Sequence, residues 1–110
     1  MGQFVRGDVV VIPFPFSDLS QAKRRPALVL TKLDGDDLVL CQITSQASKD
    51  HYSIGLEAED FSEGRLNQSS SIRPNRLFTA DRAIILYRAG SVLTRKLDQV
   101  VERVIEILRG

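Results

Sequence analysis

Residues 27–44 read ALVLTKLDGDDLVLCQIT, and this stretch decides the fold. Residues 27–31 (ALVLT) form a short apolar run, rich in side chains that suit a pleated surface. Residues 38–44 (LVLCQIT) form a second such run. Between them Leu33-Asp34-Gly35-Asp36-Asp37 collects turn formers. Two apolar segments of strand length on either side of an Asp/Gly turn predict a buried β-hairpin. The three aspartates are read as turn residues: a calcium loop needs more oxygen ligands and a distal glutamate at fixed spacing.

Working outward, residues 8–14 (DVVVIPF) give a further strand, with Pro13 pushing its end toward a sheet edge. Residues 15–25 (PFSDLSQAKRR) are polar and basic without periodicity and read as a loop. Downstream, Tyr52, Ile54 and Leu56 alternate as a half-buried strand should. Residues 61–69 read as a polar connection. Residues 71–73 and 77–79 are short strand candidates, interrupted by Pro74-Asn75. The C-terminal end changes period: Leu97, Val100, Val101, Val104, Ile107 and Leu108 fall at helical steps of three and four. Thr94 is the expected N-cap, and Gly110 lies beyond the helix end. Five or six short strands closed by one helix predict a β-rich α+β fold, a small SH3-like barrel with a C-terminal amphipathic helix. With no repeat and no linker, residues 1–110 are expected to form a single domain.

A net charge of only +1 gives no global pull toward nucleic acid, so any such site must be a local patch. The one cysteine, Cys41, excludes an intrachain disulfide and lies in an apolar run, as a buried small hydrophobe would. No apolar stretch reaches the roughly 20 residues of a membrane span, and residues 1–6 are too polar for a signal peptide. The expectation is a cytoplasmic protein without membrane association. The single histidine, His51, has a near-neutral intrinsic pKa that suits a general base, but its place beside Lys49-Asp50 is that of a surface residue. One histidine cannot supply the pair used for acid–base cleavage of RNA, and no His/Cys cluster of zinc-ligand spacing exists.

More informative are the basic residues. Lys23, Arg24 and Arg25 precede Pro26, which fixes the direction of Arg25; such a cluster can hold phosphates, or be a solvated basic turn. Arg73 and Arg76 flank Pro74 and offer a second phosphate contact. Thr44 and Ser45 end a strand and can donate hydrogen bonds to a phosphoryl oxygen.

In order along the chain, Gly7-Asp8-Val9-Val10 (GDVV), the polar loop, Arg25-Pro26-Ala27-Leu28-Val29-Leu30 (RPALVL) and Ile43-Thr44-Ser45 (ITS) resemble the MazF/PemK toxins of bacterial toxin–antitoxin systems. Ser71-Ile72-Arg73 and Leu77-Phe78-Thr79 fall where that family has its S-x-x-R segment and following strand. The resemblance covers nearly the whole chain. It implies a homodimer that cleaves single-stranded RNA at short sequence sites, without metal or other cofactor, and is inhibited by a cognate antitoxin protein. Cleavage by ribose 2′-hydroxyl attack would leave a 2′,3′-cyclic phosphate and a 5′-hydroxyl. The resemblance places Arg25 at the catalytic arginine, Thr44 at the active-site threonine and Arg73 at a second arginine. Gln21, Lys23, Arg24, Ser45, Asn75 and Arg76 are the expected RNA-binding residues.

Two positions depart from the family pattern. Many members carry a glutamate where Ser20 precedes Gln21, and PemK-type members an aspartate where Asn75 stands. A neutral amide can orient a hydroxyl but does not take its proton at useful rates. Asp18 or the RNA itself is then left as the proton acceptor. The alternative is a catalytically weak or inactive member that binds RNA or antitoxin. A structural interaction barrel is a further one.

Overall fold

The computed structural model describes residues 3–14, 23–45 and 50–110. Among these, seven strands and one long helix follow in the order β1 (Asp8–Phe14), β2 (Lys23–Lys32), β3 (Asp37–Thr44), β4 (Ile54–Leu56), β5 (Phe61–Gly64), β6 (Ser70–Asp81), β7 (Tyr87–Val92) and α1 (Thr94–Arg109). All strand pairs are antiparallel, in the sheet order β4-β6-β3-β2-β1-β7-β5. The two edge strands, β4 and β5, are neighbours in sequence, joined through a 3₁₀ turn at Ala58–Asp60. That connection requires the sheet to curl. Accordingly Ile54 and Leu56 of one edge share a buried cluster with Val92 of β7 and pack with Phe61 of the other edge. The result is a strand-rich half-barrel whose open side is covered by Leu97 and Val100 of α1.

The expected hairpin is β2–β3: Ala27 faces Gln42, Leu28 faces Cys41 and Val29 faces Leu40. Side chains alternate between two clusters on the two faces of the sheet. Val9, Leu28, Cys41, Ile43 and Ile72 line the inner face with α1. Val10, Ile12, Ala27, Val29 and Leu40 occupy the other, with Phe14 and Phe78 packed against them. Cys41 is fully buried, and burial pushes its thiol up to about 12.

Several expectations need correction. Among the described residues there are seven strands rather than five or six: β7 is not among the expected strands, residues 71–73 and 77–79 fall in the one strand β6, and Phe61–Gly64 pairs with β7 instead of forming part of a connection. This pairing is hard to read from FSEG, since it depends on close backbone approach: a Cβ at Gly64 would lie 2.2 Å from the Ala89 carbonyl oxygen. Lys23, Arg24 and Arg25 belong to β2 rather than to the preceding loop, paired with Phe14, Pro13 and Ile12. The remainder of that loop lies outside the described residues. Tyr52 stands in a turn before β4 and not in the strand. Thr94 is the first residue of α1 and not its cap; Leu93 occupies the N-cap position without a side-chain hydrogen bond. Gly110 does close the helix, with φ at 87° and its N–H donating to the Glu106 and Ile107 carbonyls.

The GDVV segment has a structural reason. Gly7 adopts φ of 92°, which favours glycine; its N–H donates to the Val29 carbonyl and its own carbonyl accepts from Val92 N–H, both at 2.9 Å. The buried Asp8 carboxylate accepts from Val5 N–H at 2.9 Å and from the Ser91 hydroxyl at 2.8 Å. These bonds tie the N-terminal turn to β2 and β7.

Candidate active site

β3 lies between β2 and β6, and the register aligns two rows of side chains across the three strands. Ala27, Gln42 and Arg73 face one another across the three strands. Thr44, two residues further along β3, faces Ser71; Arg25, two residues back along antiparallel β2, continues beside it on the same face. With strands about 4.8 Å apart and about 3.4 Å per residue, the Arg25 and Arg73 Cα atoms are about 12 Å apart. Two arginine side chains can close that span onto one phosphate. Arg25, Thr44 and Arg73 are each partly buried, held at a rim rather than extended into solvent.

Pro74 shapes the Arg73 end. Cys41 faces Leu77 while the next residue, Gln42, faces Arg73, so Pro74, Asn75 and Arg76 bulge out of the ladder. Proline has no N–H to give a ladder bond, and Pro74 is instead buried as an anchor. The two short strands expected around Pro74-Asn75 are therefore one strand, β6, with this bulge inside it. Asn75 and Arg76 are presented outward from the bulge.

Facing it is Asp50, a residue the sequence reading passed over. One carboxylate oxygen, Oδ2, accepts from Arg73 Nη2 at 3.0 Å and from Asn75 Nδ2 at 3.1 Å. The other, Oδ1, accepts from Tyr52 N–H at 2.9 Å, Ser53 N–H at 3.1 Å and the Ser53 hydroxyl at 3.2 Å. The Arg73 guanidinium, more than any other neighbour, holds this carboxyl well below the usual carboxylate range; partial burial opposes it, and Asn75, Tyr52 N–H and the Ser53 hydroxyl add to it. Arg73 Nε is buried and has no hydrogen-bond partner among the described residues. The signal that could have found Asp50 is local: an aspartate accepting from the N–H two residues on is an Asx turn, which Asp50-His51-Tyr52 permits.

His51 is exposed and turned away from this cluster. Its ring stacks on Tyr52 at 4.1 Å between centroids and lines a cavity with Arg103, Glu106 and Ile107 of α1.

The other expected residues divide between places. Arg24 and Ser45 alternate to the opposite face from Arg25 and Thr44. There they line a groove with Val11, Pro26, Asn67 and the half-exposed Tyr87. The groove continues past Arg65 and Arg88. Lys23 is exposed at the start of β2. Gln21, with Asp18 and Ser20, lies outside the described residues.

A profile of the PemK-like, MazF-like toxins of type II toxin–antitoxin systems matches residues 5–108. The chain belongs to this family. Three solved structures show how far the fold of this PemK-like chain is shared. MazF from Deinococcus radiodurans matches with a TM-score of 0.78 at 22% identity, over 100% of both chains. An endoribonuclease from a mycobacterial species, solved in complex with its cognate antitoxin, gives 0.76 at 12% identity over 96% of this chain and 95% of that one. The Mycobacterium tuberculosis toxin MazF-mt6 gives 0.69 at 17%, over 93% and 96%. At such identities these likenesses are statements of fold. Comparison with curated protein sequences gives no match. Among the described residues, no helix of the PemK-like chain is long and apolar enough to cross a membrane.

Proposed function

We propose that this PemK-like chain is a toxin endoribonuclease of the cytoplasm that cleaves single-stranded RNA at short sequence sites. In this reading the ribose 2′-hydroxyl attacks the adjacent phosphate without a metal ion: the 2′-O–P bond forms as the P–O5′ bond breaks, and the proton lost from the 2′-hydroxyl is balanced by the one the departing 5′-oxygen gains. The observation that carries it is the convergence of Arg25, Thr44 and Arg73 from three adjacent strands onto one face. Negative charge accumulates on the phosphorane oxygens in the transition state, and guanidinium groups of preset direction stabilise it. Arg25 and Arg73 take that role. An arginine stays charged and is a poor proton carrier, so neither is assigned proton transfer. Thr44 holds the phosphate or the attacking hydroxyl in line. Lys23, Gln21, Asn75 and Arg76 bind RNA beside the reacting phosphate, and Arg24 and Ser45 bind it in the groove behind. Tyr87 offers that groove a stacking surface for a base.

In this reading the protein acts as a homodimer and is inhibited by a cognate antitoxin; an antitoxin partner is supported by the mycobacterial endoribonuclease solved in complex with its own. The test is incubation of a long single-stranded RNA with purified protein in excess EDTA, with both ends of each product mapped. Discrete cuts leaving cyclic phosphate and 5′-hydroxyl ends are expected. A folded protein that binds RNA and leaves it intact would establish the second reading, a non-catalytic RNA- or antitoxin-binding member, which Asn75 and Ser20 favour.

A further inference from the structure

Asp50 joins the bulge of β6 to the turn that leads into β4. Its Oδ2 accepts from Arg73 and Asn75 on the two sides of the β6 bulge, and its Oδ1 closes the turn that leads into β4. That turn is in turn fixed from behind. Arg103 of α1 donates from Nη1 to the Tyr52 carbonyl at 3.0 Å and the His51 carbonyl at 3.3 Å. An arginine held only by its own flexible stem samples many directions. One paired through Nη2 to a carboxylate that is itself held by backbone donors has few.

We propose that Asp50 is the positioning carboxylate of this site: it aims the Arg73 guanidinium and the Asn75 amide at the scissile phosphate, and α1 supports it through the turn at residues 50–53. This rests on the reading of the site as a nuclease. Asp50 does not take the proton in this role, because its charge is committed to Arg73 and both of its oxygens already accept from the protein. The arrangement also determines what a second acid would do. A carboxylate at position 75 would stand about where the Asn75 amide now donates at 3.1 Å, and would repel Asp50 instead of bonding to it.

The experiment compares Asp50→Asn, Asn75→Asp and the combined D50N/N75D exchange, in parent and Arg73→Ala backgrounds, by RNA cleavage in EDTA and by thermal unfolding. D50N keeps an oxygen to accept from Tyr52 and Ser53 N–H, so the turn is retained while a donor replaces the acceptor facing Arg73. The expected result is a fall in kcat of about 10–100-fold in D50N with KM little changed, as misaimed transition-state contacts give. N75D falls similarly, and the exchange recovers much of the loss, since it restores one acceptor and one amide donor. In the R73A background D50N has no further effect. D50N cleaving as fast as the parent would overturn the positioning role and leave the nuclease reading intact. If the parent itself does not cleave, that reading falls. Asp50 is then judged by affinity for an oligonucleotide with 2′-deoxy sugars: D50N should weaken it as much as R73A does, and unchanged D50N binding alongside weakened R73A binding would overturn the proposal.

Discussion

Asp8 and Asp50 each pair with an arginine on another strand, yet they sit in opposite settings. The Asp8 side chain is 4% exposed, bonded to Val5 N–H and Ser91, with Arg88 at 3.7 Å; Arg88 pairs more closely with Glu63, at 2.6 Å. The Asp50 side chain is 26% exposed, and its arginine partner, Arg73, stands at 21% beside a bulge in the sheet. Asp8 joins the N-terminal turn to β7 inside the closed part of the half-barrel, where removing an acceptor leaves donors unsatisfied. Asp50 stands at the rim, its carboxylate shared between the Arg73 guanidinium and the Asn75 amide at the bulge of β6. The buried carboxylate is tied chiefly to a backbone N–H and a hydroxyl, whereas the rim carboxylate is tied first to a guanidinium, which is why Asp50 is the one proposed to aim a charge. What differs between the two is the burial of the carboxylate and the kind of donor it holds, since Arg88 is itself more exposed than Arg73.

The largest expected effect tests the rim. Replacing Arg25 by alanine should lower RNA cleavage by about 10²–10³-fold, equivalent to about 3–4 kcal/mol of activation free energy, while leaving the melting temperature near that of the parent. Equal cleavage by variant and parent would remove Arg25 from the mechanism. Asp8→Ala should do the reverse. It removes a buried carboxylate that accepts from Val5 N–H and the Ser91 hydroxyl, and should cost about 1–3 kcal/mol in urea unfolding. Cleavage per folded molecule should stay unchanged. A variant of Asp8 that unfolded like the parent would break the contrast from the other side.

How much of this was legible beforehand follows the same division. Repeating apolar pattern revealed the β2–β3 hairpin, β1 and α1, because those elements bury one whole face and the pattern must follow the pleat or the helical period. β5 and β7 escaped notice: their pairing depends on Gly64 and Gly90 letting two backbones approach, which leaves no hydrophobic signature. The basic residues before Pro26 and around Pro74, with Thr44 at a strand end, signalled no more than phosphate contacts, and the roles proposed for Arg25, Thr44 and Arg73 came from the family resemblance. Asp50 was legible only as a turn residue, because its place beside Arg73 and Asn75 depends on partners 23 and 25 residues away. The missing acid at position 75 was visible in the sequence. The carboxylate that faces the position from another segment was not.

A smaller effect is expected from pH. The Asp50 carboxyl is held below its ordinary value of about 3.9 in the folded protein. Below that value the unfolded chain binds a proton that the folded one does not, so stability rises with pH across this window. The contribution of Asp50 is therefore complete above the ordinary carboxylate range and is lost only as pH falls beneath it. Acid-unfolding curves of parent and D50N should converge at the lowest pH and separate as pH rises toward neutrality. Parallel curves would mean that the Arg73 pair adds nothing to the fold.

The smallest effect concerns the start of α1, on which the Asp50 turn depends through Arg103. Thr94 has the chemistry of a cap, and its loss would cost about 1 kcal/mol if its hydroxyl served a backbone N–H there. The structure places it one residue inside the helix, with Leu93 at the cap position and no side-chain cap bond. The start of the helix is secured differently: Leu93 N–H donates to the Asp60 carbonyl at 2.8 Å, and Lys96 donates to the Gly55 carbonyl at 3.0 Å and pairs with Asp60 at 3.6 Å. Thr94→Ala should therefore change stability by no more than about 0.5 kcal/mol, because alanine is the better helix former and no cap is lost. Lys96→Ala should cost more than Thr94→Ala, since it releases the helix from the β4–β5 connection that closes the barrel. The reverse order in unfolding experiments would return the cap to Thr94.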